Sequence, residues 1–84
     1  MNEKTLRALV EAGAVRRIRI IADGARFHIE IDTPGSTAIA ATTKGTAKTW
    51  STLDASARWM RALGIGTAQI DVSRWHPEQR ALAL

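Results

Sequence analysis

The chain has no cysteine and no tyrosine, one phenylalanine, two prolines and two histidines. Without thiols it can form neither disulfides nor thiolate metal sites. Small secreted domains usually carry disulfides, so their absence favours a reducing cytoplasm. No apolar run approaches the length of a membrane span, and the opening MNEKTLRALVEAG has no hydrophobic signal segment. No internal repeat or low-complexity tract is visible.

What is present describes one small domain. Eighty-four residues give a core of marginal size, and 45% hydrophobic residues are enough to fold it. The net charge is +4 and the pI about 10.7, which suits an acidic partner or simply keeps the chain soluble.

The stretch WSTLDASARWMRALGIG, residues 50–66, is where start, period and stop signals agree. Ser51 is placed to cap a helix and Asp54 to meet its positive end. Leu53, Ala57, Met60 and Leu63 recur at helical spacing as one apolar stripe. Gly64 then stops the helix, with Ile65 folding back in a Schellman motif. A first helix begins at Asn2, carries Leu6, Leu9 and Val10 on its apolar face, and ends at Gly13.

Between these helices AVRRIRIIADGARFHIEID reads as a β-hairpin around Asp23-Gly24. Counting outward from that turn, Ile20 faces Phe27, Ile18 faces Ile29 and Arg16 faces Ile31 on one side. Arg17, Arg19, Arg26, His28 and Glu30 share the other side. One buried and one polar face is the pattern of a half-buried antiparallel pair. Thr33-Pro34-Gly35-Ser36 is a turn. STAIAATT and TAKTW flank Lys44-Gly45 as a second, weaker hairpin, which would pair Ile39 with Trp50. TAQIDV alternates Ala68, Ile70 and Val72 on one face of a last strand.

The expected order is α-β-β-β-β-α-β. This is an α+β two-layer sandwich, a mainly antiparallel sheet with both helices on one face. Residues 1–73 make the domain and 74–84 a loosely attached tail, whose Trp75 and final leucines are free to dock on a neighbour or a second subunit.

No constellation for chemistry emerges. His28 lies in a strand with no second ligand or orienting carboxylate in register beside it, and His76 lies next to Pro77. The carboxylates show no metal spacing, the serines no nucleophile elbow, and TKGTAK no P-loop geometry. The expectation is therefore a chain that is not an enzyme and has no cofactor and no metal.

The basic residues are unevenly spread. Lys44, Lys48, Arg58 and Arg61 against Asp54 leave +3 between residues 44 and 61, whereas residues 15–32 carry only +1. Trp50 and Trp59 bracket the excess. Cations among aromatics can hold phosphates and stack bases, although both tryptophans also have packing roles. The candidate partner or nucleic-acid surface is thus Arg17, Arg19, Arg26, His28, Lys44, Lys48, Arg58, Trp59 and Arg61.

MNEKTLRALVEAGAVRRIRIIADG, then KGTAKTW running into STLDASARWMRALGIG, then IDVSRWHP, resembles the small plasmid-encoded ParC-family partition-associated proteins over nearly the whole chain. The resemblance implies a bacterial cytoplasmic accessory protein of plasmid partition or stability, with a partition ATPase or centromere-binding protein as partner. It supplies no site residues. The alternative is a small basic nucleic-acid-binding module for DNA or double-stranded RNA. The α-β-β-β-α order is similar to the double-stranded-RNA-binding domain, but Asp54 stands where phosphate contact needs a cation. A self-associating module, pairing through the open face or the TAQIDV edge, is the third reading.

Overall fold

The computed structural model describes residues 1–76. Helix α1 (Glu3–Glu11) is followed by strands β1 (Arg17–Gly24), β2 (Arg26–Thr33) and β3 (Ser36–Ile39), then helix α2 (Leu53–Ala62) and strand β4 (Gln69–Trp75). The fold is α+β, with one mixed sheet in the order β3-β2-β1-β4. β1–β2 and β2–β3 are antiparallel, while β4 runs parallel to β1.

Both helices end in the hydrogen bonds of a Schellman motif. In α2, Ile65 N–H donates to Met60 O (3.1 Å) and Gly64 N–H to Arg61 O (3.1 Å), with Gly64 at φ 91°. In α1, Ala14 N–H donates to Leu9 O (2.9 Å) and Gly13 N–H to Val10 O (3.1 Å). At its start Asn2 accepts from Thr5 N–H at 2.9 Å, the expected cap. The cap of α2 is Thr52 and not Ser51: its Oγ1 accepts from Ala55 N–H at 3.1 Å.

The hairpin register differs from the expected one. Ile20 pairs with Ile29, Ile18 with Ile31 and Asp23 with Arg26, so the loop is Gly24-Ala25. Gly24 has φ 64° and no other residue type takes positive φ, the sign pattern of a type II′ turn. An Asp23-Gly24 type I′ turn would have demanded positive φ of Asp23 as well. The change moves each pairing by two residues, so every side chain keeps its face. It also takes Arg16 away from Ile31 and sets Arg17 opposite Asp32 and Arg19 opposite Glu30, pairs of opposite sign.

The second hairpin does not form as strands. Lys44-Gly45 does lie in a turn, closed by Thr42 N–H to Thr46 O (2.8 Å), but its arms share only the single bridge Ala41–Ala47. Trp50 bridges Phe27 by a reciprocal pair of 2.9 Å bonds and does not pair with Ile39. Alanine-rich arms offer little cross-strand contact, whereas β2 offers an unpaired stretch beyond the end of the short β3.

The core lies between the sheet and both helices. Ile18, Ile20, Ala22, Phe27, Ile29 and Ile31 pack against Leu6 of α1 and against Met60 and Leu63 at the end of α2. The stripe expected on α2 is rotated: Leu53 is 37% exposed, and Ser56 is fully buried.

Candidate functional site

The opposite face of the sheet carries no helix among the described residues. Alternation along β1 and β2 puts Arg17, Arg19, Ile21, His28, Glu30 and Asp32 there. Their charges are fastened to one another. Arg19 Nη2 lies 2.8 Å from Asp32 Oδ1 and 3.3 Å from Glu30 Oε1. His28 Nε2 lies 3.1 Å from Glu30 Oε2, within hydrogen-bond distance. Thr37 on β3 donates to Asp32 Oδ1 at 2.8 Å. That hydroxyl bond, with Arg19 beside it, holds the Asp32 carboxyl below the usual carboxylate range. The side chains keep only 17–29% of their exposure, so the pattern is half-buried and fixed. Arg19 Nε is enclosed without a hydrogen-bond partner among the described residues. Arg17 is exposed, and Arg26 donates to Thr49 Oγ1 at 3.0 Å.

The remaining candidates lie elsewhere. Lys48 Nζ stands 5.7 Å from the ring of Trp50 and 5.9 Å from that of Trp59, cation–π distances. The two indoles are 5.2 Å apart at 53°, and Trp59 Nε1–H donates to Glu3 Oε1 at 3.1 Å. These three thus form one cluster on the helix side. Arg58 pairs with Asp54 one turn earlier at 3.0 Å, Arg61 is exposed in the last turn of α2, and Lys44 is exposed on its loop. The nine candidates therefore divide between two surfaces: Arg17, Arg19, Arg26 and His28 on the open face, the rest on the helix side or the loop.

Sequence reasoning missed Asp32 and Thr37 as members of the open-face network. The signal was present in the run of opposite charges, since a two-residue shift in pairing brings Arg17 to Asp32 and Arg19 to Glu30 together. A cleft of about 390 Å³ lies where both helices end, lined by Val10, Val15, Ile65 and Ala68 with Arg16 and Arg17 at its rim. Among the described residues no three His, Asp or Glu side chains converge as a metal ion would need. No helix among them is long and apolar enough to cross a membrane.

Comparison with protein-family models, with curated proteins and with solved structures finds no match to this chain.

Proposed function

We propose that the chain is a non-enzymatic accessory protein of plasmid partition or stability, working in the bacterial cytoplasm through protein–protein contacts on its open sheet face. The observation that supports this reading is the fixed network of Arg19, Asp32, Glu30 and His28 on a face that no helix among the described residues covers. Charges of both signs held in place give a partner surface specificity through complementarity. A phosphate backbone asks for cations with free donors. Here Arg19 is matched by two carboxylates, Arg58 by Asp54, and Lys48 is drawn over two indoles. The indoles also pack on each other at a tilt of 53°, which leaves less ring surface for base stacking. The sequence resemblance supplies the setting: a partition ATPase or centromere-binding protein is the partner.

The test is a titration of the purified chain against both partition proteins and against plasmid DNA at two salt concentrations. Binding to one of the proteins is expected, weakening with salt through screening but far less steeply than DNA binding would, and weakened about tenfold by Arg17→Glu with Arg26→Glu. Steep, sequence-tolerant DNA binding that Lys44, Lys48, Arg58 and Arg61 changed to alanine abolish would overturn the reading. Turnover of a small molecule would overturn it as well.

A further inference from the structure

Strand β4 closes one side of the sheet and has no strand beyond it among the described residues. All seven of its residues are exposed, including Ile70 (51%), Val72 (49%) and Trp75 (42%). The core helices meet the sheet over β1 and β2; on β4, Trp75 leans back on Phe27 with ring centroids 6.1 Å apart, while Ile70 and Val72 stay about half exposed. An exposed apolar edge strand of this length is a template for another chain. The four-residue β3 at the opposite side offers much less.

A bulge gives β4 a symmetry that its sequence alone conceals. Ile70 pairs with Ile20 and Asp71 with Ile21, but Arg74 pairs with Asp23 and Trp75 with Gly24. Three steps on β4 match two on β1. Asp71 and Arg74, three apart, therefore share the open face, and Ile70 and Trp75 share the helix face. The Asp71 carboxylate fixes the bulge: Oδ1 accepts from Ser73 N–H (2.9 Å) and Ser73 Oγ (2.6 Å). Among the described residues nothing hydrogen-bonds Asp71 Oδ2. Among the described residues Arg74 forms an ion pair with Asp23 alone, at 3.5 Å and about 60% exposed on both sides, and its charge adds to the Ser73 bonds in lowering the Asp71 carboxyl of the same chain.

We propose that β4 pairs antiparallel with β4 of a second copy about a two-fold axis between Val72 and Ser73. This register sets Asp71 opposite Arg74 of the partner subunit on the open face and Ile70 opposite the partner's Trp75 on the helix face. Both pairs occur twice, as a self-complementary interface requires. A bulge on an edge ordinarily discourages pairing. This one places opposite charges at symmetry-related positions. Centring the pairing on Asp71 would face like charges, and centring it on Val72 would set Ile70 against Arg74 on opposite faces, whereas the axis between Val72 and Ser73 pairs opposite charges twice and keeps each pair on one face. The two sheets become one of eight strands and the open faces of both copies become continuous. The dimer goes beyond the proposed function and does not depend on which protein the open face meets.

Sedimentation of the full chain over a wide concentration range tests the idea, with far-UV circular dichroism to confirm folding. A reversible dimer is expected. Asp71→Arg and Arg74→Asp should each raise its dissociation constant at least about tenfold, because two attractive pairs become repulsive. An equimolar mixture of the two variants should recover dimer in part, since every charge pair across that interface is again of opposite sign while the Asp71→Arg copy lacks the Ser73 bonds that fix its bulge. Val72→Lys, which disturbs neither the Ser73 bonds nor Asp23, should also dissociate it. A chain monomeric at every concentration would overturn the proposal, whether β4 then contacts residues 77–84 or a partition protein. So would a dimer indifferent to these changes, or variants that stay apart when mixed. Binding of a partition protein that needs Arg17 and Arg26 but proceeds on a monomer would sink the dimer and leave the open-face reading standing.

Discussion

Ser56 is fully buried in α2, and its hydroxyl donates to Leu53 O at 2.7 Å, satisfying the group without a partner in the core. A small side chain there lets the helix approach the sheet closely, and the larger contacts fall to Met60 and Leu63 at its end. Met60, 6% exposed, should therefore cost about 2–5 kcal/mol when changed to alanine. Leu53, more than a third exposed, should cost less than ~1 kcal/mol. Chemical denaturation of the two variants checks both, and equal losses would place the stripe where the helical spacing first put it. The spacing alone could not separate these residues. Trp59 and Ser56 compete with Leu53 for the face, and what decides lies outside the helix: Met60 and Leu63 enter the core with Leu6 and the sheet, and Trp59 packs on Trp50.

Among the elements, the hairpin shows how far local rules reach. Its faces were legible because strict alternation of isoleucine with charge survives any two-residue change of register. Its turn was not, because Asp-Gly is the stronger pattern for a two-residue loop, while the paired charges and the Ile18–Ile31 contact favour Gly24-Ala25. The helix ends were legible to the residue at Gly13 and Gly64, where positive φ leaves little choice. TAKTW failed as a strand because its pairing is settled by the competing edge of β2, which no local window contains. The observed turn assigns the strain to one position. Gly24→Ala should lower stability by about 1 kcal/mol or more. Asp23→Ala should stay within about 1 kcal/mol, the range of its exposed pair with Arg74. Thermal melts of the two variants distinguish them, and a larger loss at Asp23 would return the turn to Asp23-Gly24.

For the molecule as a whole, the network on the open face makes stability depend on acid. Asp32 is held below its usual range by Thr37 and Arg19, and Asp71 by the side chain and backbone of Ser73. A carboxyl lowered on folding binds more protons in the unfolded chain. Its contribution is complete above the unfolded value of about 3.9 and disappears as pH falls through the lower folded one. The urea midpoint should thus drop between pH 6 and pH 3. Thr37→Ala should narrow that drop by removing the largest cause at Asp32, and an unchanged drop would show that the bond does not form in solution. The order of the strands has another result, in amide exchange. β1 and β2 are flanked on both sides, whereas among the described residues β4 has a neighbouring strand only in β1, so local opening releases its amides before those of β1 and β2 and exchange there is fast and sub-global. If a second copy adds its own strand, β4 ceases to be an edge. Its protection then rises with protein concentration by mass action, while that of β1 and β2 stays closer to the global limit throughout.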